Sequence, residues 1–108
     1  MTFKERVIQI IQAIPAGMVM SYGQVAAAAG SPRAARQVGG ILRASSLDKL
    51  PWWRVINSQG YISIKGSFEA TPQVQRQLLV AEGVVVSADM YVDMAKYQLR
   101  TVLSAKTA

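Results

Sequence analysis

Two adjacent indoles, Trp52 and Trp53, with Arg54 directly after them, are the side chains of this 108-residue sequence best suited to holding a flat ring. An aromatic face gains about 1–3 kcal/mol per stacked base where proteins bind unpaired nucleotides. Core filling is the competing reading, because tryptophan is highly buried on average. The pair follows Pro51 in a loop that leads into an apolar run. That position suits a cleft rim better than the core of a helix bundle. Arg33, Arg36 and Arg43 form a second group, and their spacings of three and seven let them share one helical face. They read either as a solvated basic face or as contacts to phosphates and a groove. Tyr22, at the start of a helix, either packs on the core or contacts a bound nucleotide.

The sequence contains no cysteine and no histidine. Thiolate nucleophiles, disulfides, thiolate or imidazole zinc sites, and serine–histidine–aspartate arrangements are therefore excluded. The six carboxylates, Glu5, Asp48, Glu69, Glu82, Asp89 and Asp93, show no spacing that marks an acid/base pair. No metal and no cofactor is expected. Lys and Arg outnumber Asp and Glu by twelve to six, giving a net charge of +6. Such a balance fits a polyanionic partner such as nucleic acid, or simply a basic surface.

The length fits one domain over residues 1–108. The apolar runs are too short and too interrupted to span a membrane, and the charged start "MTFKERVIQIIQ" is no signal peptide. A cytoplasmic location, no membrane partner and a monomer are the expectations. Phe3, Val7, Ile10, Ile11 and Ile14 recur at helical spacing, and "PAG" at 15–17 ends that first helix. "SYGQ" at 21–24 is a capping box opening a second helix, which Gly30 stops. Ser31 and Pro32 then read as cap and first residue of a third helix running to about Ala44. Gly39 and Gly40 lie inside it, each costing about 1 kcal/mol relative to alanine, and Ala34 and Ala35 add small side chains. Either another helix or a nucleic-acid backbone approaches closely there.

"WRVIN" and "YISIK", separated by "SQG", read as a hairpin. Thr71, Pro72 and Gly83 delimit a further helix, and the stretch after Asp89 reads as a short helix or strand before a frayed tail at 101–108. The fold class is α+β, mostly helical: a winged helix-turn-helix DNA-binding domain with a small β-hairpin wing.

The ordered motifs "SYGQVAAAAGSPRAARQVGG", "PWWRV", "NSQGYIS" and "LLVAEG" resemble the O6-alkylguanine-DNA alkyltransferases, and more closely the alkyltransferase-like proteins. The resemblance covers roughly residues 3 to 86 and corresponds to the DNA-binding domain alone. It implies that Arg36 is the arginine finger that replaces a flipped base, and that Tyr22 helps rotate the nucleotide. It also implies that the small-residue helix bearing Ala34, Ala35, Gly39 and Gly40 lies in the minor groove, with Arg33 and Arg43 on the same DNA-binding element. Pro51 and Arg54 match structural positions of the signature. Glu82 matches a buried glutamate that orients the transferase histidine. Lys65 matches a basic residue near the guanine O6 region, or is a wing-tip phosphate contact. The loop asparagine of the transferases aligns with Ser45, in a loop one residue shorter.

The departures bear on activity. In the family signature Pro-Cys-His-Arg-Val, Trp52 stands for the acceptor cysteine and Trp53 for the histidine. An indole N–H is a donor only and takes no alkyl group by the family's route. The resemblance therefore implies a non-enzymatic sensor. Such a sensor flips O6-alkylguanine out of duplex DNA into a pocket formed by Trp52, Trp53, Tyr22 and Lys65, and hands it to nucleotide excision repair. The alternative is a winged-helix regulator without lesion specificity, which would need base-edge readers on the third helix; Gln37 is the one amide there. A glycosylase using Asp48 or Glu82 is a third reading, but no carboxylate aligns beside the flipped base.

Overall fold

The computed structural model describes residues 1–44, 50–64 and 70–100. Lys65, Ser45, Asp48 and the 101–108 tail lie outside them. Helix α1 (Phe3–Ala13) begins at a Thr2 capping box closed by Glu5, and it buries Val7, Ile10 and Ile11 as the period predicts. Strand β1 (Met20–Ser21) leads into α2 (Tyr22–Ala28), and α3 (Ala35–Ala44) packs on α2, which also packs on α1. After a 3-10 turn at Trp52–Arg54 come strand β2 (Val55–Ile56), α4 (Pro72–Ala81) and the single-turn α5 (Met94–Tyr97). Thr71 caps α4, with Pro72 at its first position, as expected. The ambiguous stretch after Asp89 resolves into α5 with flanking bridges.

The architecture is mixed α/β with a helix-turn-helix at α2–α3, a winged-helix-like fold. Its strand pairing departs from the expected hairpin. Strand β2 pairs in parallel with β1, Met20 opposite Val55 and Ser21 opposite Ile56. The turn at Asn57–Gly60 forms as predicted, with the Gly60 amide donating to Asn57 O. The chain after it then joins residues 90–92: Tyr61 bridges Tyr91, and the Ile62 amide donates to Met90 O. The physical reason is burial. Val55 and Ile56 are interior residues, and the β2 backbone is already engaged by β1 and by the Gln75 side chain. Gly60 is required at this crossing, since a Cβ there would stand 2.2 Å from Val92 O.

Val19, just before β1, forms a parallel bridge with Gln98 while Met20 faces Val55. Successive residues of an extended strand direct their backbone groups to opposite edges, so β1 is flanked on both sides. One core cluster gathers α1, α2, α3 and Trp52. A second gathers Val19, Ile56, Leu79, Val84 and Tyr97, and Trp53 packs against both.

Candidate nucleic-acid interface

The α2–α3 surface is set by two chain reversals. Ser21 accepts from the Gln24 amide and the Gln24 side chain accepts from the Ser21 amide, so α2 starts with Tyr22 at its first position. Gly30, with φ +94°, ends α2. The third helix begins later than the sequence indicates. The Ser31 amide donates to Ala26 O and its carbonyl accepts from Ala34, which makes residues 31–34 a turn rather than a helix start. Pro32, Arg33 and Ala34 therefore precede α3. Arg33 is exposed on that turn and does not continue the helical face of Arg36 and Arg43.

On α3, Val38 and Leu42 are buried, whereas Arg36, Gln37 and Arg43 are exposed; Ala35, Gly39 and Gly40 are half-buried. A Cβ on Gly39 would meet Arg43 Nη1 at 3.7 Å and Tyr22 Cε1 at 4.0 Å, and one on Gly40 would meet Arg43 Nη2 at 3.9 Å. These are ordinary contacts, so helix packing within the protein does not require glycine at either position. Tyr22, Gly39, Gly40 and Arg43 form one patch. Burial pushes the Tyr22 phenol pKa up, opposed by the neighbouring Arg43 charge.

Trp52 is not at a cleft rim. It is 4 % exposed and belongs to the first core cluster, against which Tyr22, Ala34, Ile41 and Trp53 also pack. The turn that carries it explains this. Pro51 caps the 3-10 turn, the Arg54 amide donates to Pro51 O at 3.1 Å, and the turn points Trp52 inward. Trp53 remains partly exposed, meeting Trp52 edge-on with centroids 6.1 Å apart at 88°. Arg54 lies 5.3 Å from the Trp53 ring centroid, within cation–π range.

Arg54 and Glu82 fasten the turn. Arg54 Nε donates to both Glu82 oxygens at 3.0 and 3.1 Å, Nη2 donates to Oε2, and Nη1 donates to Ile14 O at 2.7 Å. The Gly17 amide adds a bond to Glu82 Oε1 at 3.3 Å. Burial pushes the Glu82 pKa up, but the hydrogen bonds from Arg54, the nearby Trp53 N–H, the Gly17 amide and the Arg54 charge together hold it below the ordinary carboxylate value. The Trp53 indole N–H, though close enough to favour the carboxylate, is buried without a formed hydrogen bond. Glu82 thus has an arginine partner and closes α4 at its C-cap.

Gln75 was not singled out by sequence reasoning. It is 1 % exposed, and its Nε2 donates to Trp53 O and Val55 O, both at 3.0 Å. The available signal was a polar residue four positions before Leu79, on the apolar stripe of α4. Among the described residues, no group of three or more His, Cys, Asp or Glu side chains could hold a metal ion, and no helix is long and apolar enough to cross a membrane.

Comparison with known proteins places this geometry. The family model described as 6-O-methylguanine DNA methyltransferase, DNA binding domain, matches residues 2–84. The DNA base-flipping protein of Escherichia coli (strain K12) is 52% identical over 98 residues, covering 90% of this chain and 74% of that protein. Alkyltransferase-like protein 1 of Schizosaccharomyces pombe is 40% identical over 85 residues, 78% of each chain. The crystal structure of that S. pombe protein in complex with damaged DNA containing O6-carboxymethylguanine superposes with a TM-score of 0.83 at 34% identity, covering 92% of this chain and 95% of that one. The chain therefore belongs to the family defined by the DNA-binding domain of 6-O-methylguanine DNA methyltransferase.

Proposed function

We propose that this protein binds O6-alkylguanine in duplex DNA, turns the nucleotide out of the helix and holds it without taking the alkyl group. The relatives named as a base-flipping protein and an alkyltransferase-like protein, and the fold shared with a protein bound to damaged DNA, support this reading. The observation that carries it is the signature turn. Trp52 stands at the family's acceptor position, and the chain contains no thiol that could replace the missing nucleophile. Helix α3 enters the minor groove with Gly39 and Gly40 against the backbone, and exposed Arg36 fills the space of the extruded base. Flipping costs a few kcal/mol, least for a base that already pairs badly. Because Trp52 is 4 % exposed in the free protein, the base reaches its ring only as the surrounding packing opens. The held lesion then serves as the mark from which nucleotide excision repair proceeds.

The test is a titration of O6-methylguanine and guanine duplexes at matched salt, followed by mass measurement of protein and DNA. The expected result is tighter binding to the lesion, an altered tryptophan emission specific to it, and unchanged masses. Equal affinities would remove lesion recognition, and a protein heavier by one alkyl group would remove the non-enzymatic reading.

A further inference from the structure

The match to the family model stops at residue 84, yet residues 97–99 reach the opening of α2, far along the chain from it. Val19 donates to Tyr97 O at 2.9 Å and Leu99 donates to Val19 O at 2.8 Å, so this segment lies as a strand beside the residues that lead into Tyr22. The contact is then locked by side chains. Gln24 Nε2 donates to Leu99 O at 2.9 Å, and Gln98 Nε2 donates to Gln24 Oε1 at 2.7 Å. The same Oε1 already accepts from the Ser21 amide at 2.9 Å in the capping box. One glutamine side chain therefore joins the helix cap to the C-terminal strand; the capping bonds between Ser21 and Gln24 span Tyr22, whose ring lies 4.0 Å from where a Cβ on Gly39 of α3 would stand.

We propose that Gln24 and Gln98 are positioning residues for Tyr22: the strand at 97–99 fixes the start of α2, and with it the place of the phenol on the DNA-binding surface. The inference rests on the reading of Tyr22 as a DNA-contacting residue and adds the device that aims it. Functional side chains hold productive geometry only when a supporting shell locks their backbone and rotamer. The sequence signal at Gln24 is fully accounted for by capping, so the second bond of its side chain leaves no trace in the motif.

Two substitutions separate the strap from the cap. Gln24→Glu preserves the capping box, because a carboxylate still accepts from the Ser21 amide and from Gln98, but it has no donor for Leu99 O. Gln98→Glu removes the donor to Gln24 and leaves the box untouched. In the free protein, the Tyr22 ring and Gly39 amide resonances should shift in both variants, with thermal melting still cooperative. On DNA, each variant should lower the preference for O6-methylguanine over guanine duplex about fivefold to tenfold, the scale of one lost hydrogen bond. That loss should vanish in a Tyr22→Ala background. Tyr22 resonances that do not move, or an equal loss without Tyr22, would overturn the proposal. If the unmodified protein showed no lesion preference, the functional reading would fall, while the Tyr22 and Gly39 resonances would still decide the strap.

Discussion

Arg54 grips Glu82 side-on, with Nε on both carboxylate oxygens and Nη2 on Oε2, while its remaining nitrogen holds the last carbonyl of the α1 region at Ile14. The two side chains are 16% and 13% exposed, so the pair is shielded but not sealed. This single contact joins the ends of α1 and α4 to the turn that carries both tryptophans. Glu82→Gln should therefore destabilise the protein by about 2 kcal/mol, the range for hydrogen bonds to charged groups. The folded-state pKa of Glu82 is depressed, so its contribution is present above the unfolded carboxylate value and is lost as pH falls through the folded one. Urea melts of the parent and Glu82→Gln should differ most near neutrality and converge in acid. A gap that does not change with pH would show that the charge of Glu82 is not its source.

The two glycines of α3 give a prediction with opposite signs. Alanine at Gly39 meets Arg43 and Tyr22 only at ordinary contact distance. Gly39→Ala should stabilise the free protein by up to about 1 kcal/mol through helix propensity. It should weaken DNA binding if α3 enters the groove as proposed. Melting and duplex titration of the same variant check both halves. A stabilised protein with unimpaired binding would place the DNA farther from α3.

What the sequence made legible follows from the range of the interactions. The cap at Ser21, the α2 stop at Gly30 and the Thr71–Pro72 start of α4 are settled by neighbours within four residues, and they appear as read. The late start of α3 is settled by the turn over residues 31–34, where the Ala34 amide closes on Ser31 O and the first α-helical bond runs only from the Val38 amide to Ala34 O, a choice local propensity does not encode. The parallel pairing of β2 with β1 joins residues about 35 apart, and its only sequence mark, two consecutive apolar residues, fits a hairpin equally well. Trp52 shows the same limit. Its identity against the family motif was readable, but its inward aim comes from the 3-10 turn and from the Gln75 and Arg54 bonds that fasten it.

Arg36 is exposed on α3, away from the buried Val38 and Leu42 face. Arg36→Ala should leave folding stability within about 0.5 kcal/mol of the parent, as for other surface changes. It should cost about 1–3 kcal/mol of lesion affinity if the guanidinium occupies the space of the extruded base. Thermal melts and lesion-duplex titrations separate the two effects. Full affinity with Arg36 absent would take away the finger assignment and return the residue to a solvated basic face.

Restoring a thiol should not restore alkyl transfer. In Trp52→Cys the sulfur would sit where a 4 % exposed ring now packs, and truncating that ring costs about 3–5 kcal/mol by analogy with other large-to-small core changes. The reaction also needs a base to generate the thiolate. By the resemblance to the signature Pro-Cys-His-Arg-Val, Trp53 stands for the histidine, and its indole N–H donates without accepting a proton. Glu82, which would orient that histidine, is bound by three Arg54 contacts and the Gly17 amide, and its negative charge cancels the cation that could otherwise depress a neighbouring thiol. Incubation of Trp52→Cys with O6-methylguanine duplex should leave the protein mass unchanged. A single alkyl adduct on Trp52→Cys would show that the pocket activates sulfur without the histidine, and would overturn this expectation.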